Sequence, residues 1–198
     1  MMKAPGVLAL VATLLAGAPV ASRAQDFYAG KTIHFYIGYS PGGGYDLYSR
    51  LVARHIGRFL PGRPNVVPQN MPGGGGLTVA SYMNSVPPKD GTSLAMAGSS
   101  VALVQTLEAN PGGYDASKFG WIGMITRTGA APILYTWNTS PSKTFEDIRK
   151  RETIVGATAA GNTEYMPRVL NRMAGARFKI VAGYPGTTEI QMAVERGM

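Results

Sequence analysis

A short unit that repeats along this chain limits what it can fold into: a β-branched or small-residue run, a break at glycine, then apolar residues at helical spacing. Residues 33–37 (IHFYI) form one such run, and Ser40-Pro41-Gly42-Gly43-Gly44 breaks it. From Asp46 onward, Leu47, Leu51, Val52, Ile56, Phe59 and Leu60 recur at helical spacing, with Arg50, Arg54 and Arg58 on the other face. Asp46 is placed to cap this helix, and Pro61-Gly62 stops it. The unit returns as Val66-Val67, Pro72-Gly73-Gly74-Gly75-Gly76 and a helix over 77–83. It returns again as a strand over 93–97, Gly98-Ser99-Ser100 and a helix over 101–108.

Farther on, residues 121–125 and 132–136 read as two more strands, and the low-glycine stretch over 129–143 is the candidate crossing between lobes. Thr144 with Asp147 forms a capping box for a helix through Arg151. A strand over 153–157, the loop Ala159-Ala160-Gly161-Asn162-Thr163 and a helix over 165–174 follow. A strand over 178–181, Gly183-Tyr184-Pro185-Gly186 and a helix over 188–196 end the chain. Strands and helices alternating at these lengths predict α/β units around mostly parallel sheets, with ligands gathering at the carboxyl ends of the strands.

The N-terminus predicts export. Lys3 precedes a short apolar run over 7–20, and Ser22-Arg23-Ala24 puts small residues where a signal peptidase reads, so cleavage is expected after Ala24. Loss of residues 1–24 takes Lys3 and Arg23 but none of the eleven acids, so a formal charge of +8 becomes +6. The basic residues are scattered, which suits attraction of small anions rather than tracking of a nucleic acid backbone. With no cysteine, a packed core has to supply the stability.

Catalytic patterns fare poorly. Gly38-Tyr39-Ser40-Pro41-Gly42 matches the nucleophile elbow of serine hydrolases, and it lies between a strand and a helix as an elbow should. However, an elbow uses the N–H of the residue after the serine as an oxyanion donor, and Pro41 has none. His34 and His55, the only histidines, sit on the adjoining strand and helix. An exported hydrolase using Ser40 is therefore the alternative, not the leading reading. No nucleotide loop, dinucleotide fingerprint or metal constellation is present in the sequence, and no cofactor is expected. The pattern that survives is anion capture by backbone. Gly42-Gly43-Gly44 can adopt positive φ and aim N–H groups inward, and Asn162-Thr163 adds side-chain donors at another helix start.

These residues resemble a family, the substrate-binding receptors of tripartite tricarboxylate transporters, also called Bug proteins. The markers are Ser40-Pro41-Gly42-Gly43-Gly44 with Asp46 and Arg50, Asn70-Met71-Pro72-Gly73-Gly74-Gly75-Gly76 and Pro88-Lys89-Asp90-Gly91; the later loops Gly161-Asn162-Thr163 and 181–186 complete the ordered set. The resemblance implies a periplasmic-binding-protein-like α/β fold of two lobes with mostly parallel sheets and a cleft between them. After the leader (1–24), a first lobe is expected over 25–128 and a second, incomplete one over 129–198. The resemblance further implies a monomeric periplasmic receptor that holds a small organic carboxylate for the membrane permease subunits of such a transporter. A blander version is a sensor-type binding protein with no permease.

By that resemblance the first binding loop falls on Tyr39, Ser40, Gly42 and Gly43, a second contact on Ser99-Ser100, and the far-lobe loop on Gly161, Asn162 and Thr163. Tyr39 and Tyr184 would wall the cleft. Tyr39 stands where the family usually carries Phe, the far-lobe loop lacks the family's second glycine, and no basic residue follows Tyr184. Family members are longer, and their chain returns to complete the first lobe. A truncated second lobe is thus expected here, with exposed sheet edges. The 25–198 chain alone is expected to bind weakly or fold poorly; tight binding of a carboxylate by that purified chain overturns this.

Overall fold

The computed structural model describes residues 27–107, 112–125 and 133–197. The predicted leader and the lobe boundary at 128–129 lie outside the described residues.

The first unit is a three-stranded parallel sheet in the order β2-β1-β3, with β1 (Thr32–Ile37) between β2 (Asn65–Asn70) and β3 (Ser93–Met96). Central β1 buries Ile33, Phe35, Tyr36 and Ile37, so both faces of the strand are covered. Pro68 lies within β2, which tolerates a missing N–H because it is the sheet edge. Helix α1 (Gly44–Ile56) joins β1 to β2, α2 (Leu77–Ser85) joins β2 to β3, and α3 (Val101–Leu107) follows β3. The chain therefore steps one way from β1 and then back past it. With right-handed crossovers this puts α1 and α2 on opposite faces. Ala80, Val101, Tyr114 and Ala116 pack together, with Leu77, Ala97 and Phe119 against them.

The second unit pairs β4 (Thr153–Ala157) with β5 (Phe178–Ala182) in parallel, preceded by α4 (Phe145–Lys150). Helix α5 (Asn162–Ala174) connects the strands, and α6 (Thr187–Glu195) follows β5. The predicted capping box at Thr144 and Asp147 is present. Ile148, Val155, Ala176 and Phe178 form its core, with Leu170 and Ile180 beside them. Asn171 brackets the start of β5, its amide donating to the Phe178 carbonyl and accepting the Phe178 N–H, both at 2.8 Å.

Four expectations are corrected. Residues 121–125 and 133–136 have no regular structure, and Ile122, Met124 and Ile133 stand 83%, 79% and 85% exposed (Pro132 lies outside the described residues). A β-branched run becomes a strand only when a neighbour completes its ladder, and no described residue does so here. Helix α1 does not bury its leucines: Leu47 is 67% exposed, while Asp46, Ser49 and Ala53 are buried. The N-cap of α1 is Gly43, and Asp46 lies inside the first turn, where its carboxylate accepts the Gly42 N–H at 2.9 Å. Helix α5 begins at Asn162, three residues ahead of the predicted Tyr165, with Gly161 as its N-cap.

Asp46 ties this face together. Arg50 Nε donates to it at 2.9 Å and Asn70 Nδ2 at 2.7 Å, while Arg50 also donates to Asn70 Oδ1 at 2.7 Å. Burial pushes the Asp46 carboxyl pKa up, but hydrogen bonds from Arg50, Gly42 and Asn70 and the Arg50 charge outweigh it and hold it below its ordinary value. A lowered folded-state pKa stabilises the protein above the ordinary carboxyl range near pH ~4, and that stability is lost as pH falls through the folded value. We expect Asp46→Asn to cost about 1–3 kcal/mol at pH 7, because one carboxylate oxygen becomes an amide donor facing the Gly42 N–H or the Asn70 amide and the ion pair with Arg50 is lost. Thermal melts of both forms from neutral to acid pH should show the gap between them narrowing below pH ~4. A constant gap would contradict this.

Candidate functional site

Each strand ends in a loop on the same side of its sheet. In a sheet ordered β2-β1-β3 the loops after β1 and β3 diverge, and such a switch point opens a crevice at the strand ends. Gly38 extends β1 into that crevice, its N–H donating to the Met96 carbonyl at 3.0 Å. A Cβ on Gly38 would lie 2.8 Å from Val79 Cγ1, so only glycine fits there.

The Asp46 cluster shapes the loop after β1. Asn70 Nδ2 also donates to the Tyr39 carbonyl at 3.0 Å, which pins the chain as it leaves the strand. Among the three glycines of this loop only Gly42 takes a positive φ (+86°), and its N–H is already held by Asp46. Tyr39 is buried and stacks on Tyr45 at 4.1 Å between ring centroids, 5° from parallel. Its hydroxyl donates to the Gly75 carbonyl at 2.9 Å. Burial first, then the Tyr45 hydroxyl, push the Tyr39 pKa far up, so the phenol stays protonated and a donor.

The two units meet through these loops. Ser40, buried, donates from Oγ to Glu189 Oε2 at 2.8 Å, and its N–H reaches the Pro185 carbonyl at 3.4 Å. Asn162 Nδ2 donates to Ser99 Oγ at 3.1 Å, and Ser100 Oγ donates to the Ala160 carbonyl at 2.9 Å. Gly75, at φ +61°, packs so closely that a Cβ would run into the Ala159 carbonyl oxygen. A Cβ on Gly43 would lie 3.0 Å from Thr187 Oγ1 at the start of α6. The N-terminal ends of α1 and α6 therefore meet, and that of α5 meets Ser99.

Of the sequence-predicted residues, Ser40, Ser99, Ser100 and Asn162 lie where the units touch, Ser40 against α6 and the other three between the loop after β3 and the start of α5. Tyr39, Gly42, Gly43 and Gly161 build the loops that carry them. Thr163 turns back to its own loop, accepting the Thr158 N–H at 3.0 Å. Tyr184 is half-buried, and its N–H donates to the Ala157 carbonyl at 3.2 Å. Sequence reasoning missed Tyr45, Gly75 and Glu189. Tyr45 directly follows the glycines, a local signal; Glu189 reads in sequence as an acid matched to a helix N-terminus.

A separate groove of about 670 Å³ lies in the second unit, bounded by residues 133–137, β4 and α5. It touches the cleft loops only at Asn162, Thr163 and Thr187. Among the described residues no three of His, Asp and Glu gather to hold a metal, and no helix is long and apolar enough to cross a membrane.

No family model matches the chain. A Cupriavidus necator protein described as a UPF0065 protein in the gbd 5' region is 37% identical over 90 residues, which are 46% of this chain and 27% of that protein. Among solved structures, R. palustris Rpa4515 with adipate superposes with a TM-score of 0.61 at 21% identity, covering 84% of this chain and 56% of its own. A structure described as that of a periplasmic transporter gives 0.59 at 23% identity, covering 86% and 58%. The chain thus spans less than two thirds of the length of each. The two solved structures bear out the expected periplasmic-binding-protein-like α/β fold with parallel sheets.

The Gly75–Ala159 approach generates a test. Gly75→Ala adds a Cβ at a positive φ and against a backbone oxygen, so we expect a loss of about 1–3 kcal/mol and faster amide exchange over 159–161. Unchanged exchange there would show that the two loops do not depend on each other.

Proposed function

We propose that the chain acts as an exported solute-binding receptor that captures a small organic carboxylate between its two units and delivers it to a tripartite tricarboxylate-type permease. One observation carries this reading: the N-terminal ends of α1, α5 and α6 gather where the two units touch, and Ser40, Ser99, Ser100 and Asn162 bring hydroxyl and amide groups there. Helix N-termini and neutral donors favour a bound carboxylate, each charge-assisted bond contributing about 1.5–3 kcal/mol when desolvated. The adipate held by Rpa4515 in a similar fold supports a carboxylate ligand.

In this reading Tyr39 and Tyr184 wall the cleft, and Gly42, Gly43, Gly161 and Thr163 shape the loops that grip the ligand. Residues 1–24 are the leader to the periplasm, and lobes over 25–128 and 129–198 close by a hinge. The receptor works as a monomer without cofactor or nucleic acid. It is not an enzyme: Ser40 donates to a carboxylate, Pro41 offers no oxyanion donor, and the ring of His34 is engaged by Gln69 at 3.1 Å.

A thermal-shift screen of small di- and tricarboxylates, acidic amino acids and aromatic acids tests this. Ligand at about 100 times its Kd stabilises by about 2.7 kcal/mol, so at least one acid should raise the melting temperature measurably. If none does on demonstrably folded protein, the receptor reading fails. The wild-type chain and Ser40→Ala should both lack turnover of ester substrates; turnover lost on substitution would favour the hydrolase.

A further inference from the structure

Three helices that border the cleft each carry an acid in the first turn: Asp46 on α1, Glu164 on α5 and Glu189 on α6. Two of these acids are used within their own unit. Asp46 pairs with Arg50 one turn on and accepts the Gly42 N–H. Glu164 pairs with Arg168 one turn on, Nε at 3.1 Å, and accepts the Ala160 N–H at 2.8 Å. In both, the arginine cancels the carboxylate charge and the acid holds the loop ahead of its helix.

Glu189 departs from this pattern. The residue one turn on is Ala193. Among the described residues Glu189 joins no ion pair within 4.0 Å, and its contact is with the other unit, the buried Ser40 hydroxyl at 2.8 Å. Gly186 lets the two approach, because a Cβ there would run into Ser40 Oγ and come within 3.1 Å of Glu189 Oε2. A carboxylate outside any ion pair among the described residues thus sits where Ser40 meets α6, beside a surface pocket that Tyr184, Met192 and Arg196 also line.

We propose that Glu189 determines which carboxylates the cleft accepts. It makes the Ser40 end an acceptor, so the ligand carries its carboxylate toward Ser99 and Asn162 and an ammonium or amide N–H group toward Glu189. A second carboxylate at that end meets a like charge in a partly desolvated site, which disfavours it. An ammonium there forms a charge-assisted hydrogen bond and replaces the one Ser40 now gives. This inference rests on the receptor reading above.

The test is a calorimetric titration of the full chain with matched-length probes: succinate, glutarate and adipate, each against its half-amide and its ω-amino acid. Wild type should bind the ω-amino acid of the best length about tenfold more tightly than the diacid, and Glu189→Gln should erase or reverse that ratio. Ser40→Ala, which leaves the Glu189 charge in place, should keep the ratio while weakening all members. Tightest binding of a diacid by wild type overturns the role of Glu189 and leaves the carboxylate reading standing, and needs no variant to fold. An unchanged ratio in Glu189→Gln likewise overturns it. Failure of all probes to bind, on folded protein, removes the receptor reading and this inference with it.

Discussion

The Asp46 carboxylate is the tie on which the first half of the cleft depends. It holds the Gly42 N–H, the Arg50 guanidinium and the Asn70 amide at once, so one group fixes the loop after β1, the first turns of α1 and the end of β2. Asn70 passes the constraint on by donating to the Tyr39 carbonyl. Tyr39, once placed, stacks on Tyr45 and reaches the Gly75 carbonyl, which positions the glycine loop after β2. That loop in turn sits against Ala159 in the second unit. The network also explains the inverted packing of α1: burying Asp46, Ser49 and Ala53 brings the helix close to the sheet, and longer side chains on that face would hold it away.

The closed arrangement of the loops is held by modest forces. Side-chain bonds that cross between the units among the described residues include Ser40 to Glu189, Asn162 to Ser99 and Ser100 to the Ala160 carbonyl. A typical protein hydrogen bond contributes about 1 kcal/mol net, because water competes for the same groups. Charge-assisted bonds to a ligand are roughly twice as strong, so an anion presented to the same donors can displace these contacts. The donors then need no rebuilding, since the loops that carry them are set by the Asp46 network and the glycine turns.

The strands bordered by glycine were legible because the signal is local: a β-branched run, a break, then helical spacing. The capping box at Thr144 and Asp147 was legible for the same reason. The buried face of α1 was not, because Leu47 and Leu51 outweigh Ser49 and Ala53 in any periodicity argument, while the packing is decided by Asn70 on another strand. Residues 121–125 look like a strand in isolation, but a strand exists only with a partner, and partnership is not local. The Ser40–Glu189 contact joins positions 149 residues apart, so nothing near either residue announces it. Within the loops expected to bind, no local signal told which groups are already used: Thr163 holds its own loop, and the Gly42 N–H is taken by Asp46.

Long-range and local electrostatics serve different ends here. The formal charge of +8 is scattered, and such a field draws anions without choosing among them. Choice has to come from groups within contact distance, where burial strengthens each interaction and a wrong charge is costly. Arg50 and Arg168 pair with the first-turn acids of their own helices, so neither is available to select a ligand. Among the described residues, the groups that meet between the units are the neutral donors Ser40, Ser99, Ser100 and Asn162 and the carboxylate of Glu189, with Arg196 on the pocket beside it. Under the proposed receptor reading, Glu189, outside any ion pair among the described residues, is the group that would give a bound molecule its direction.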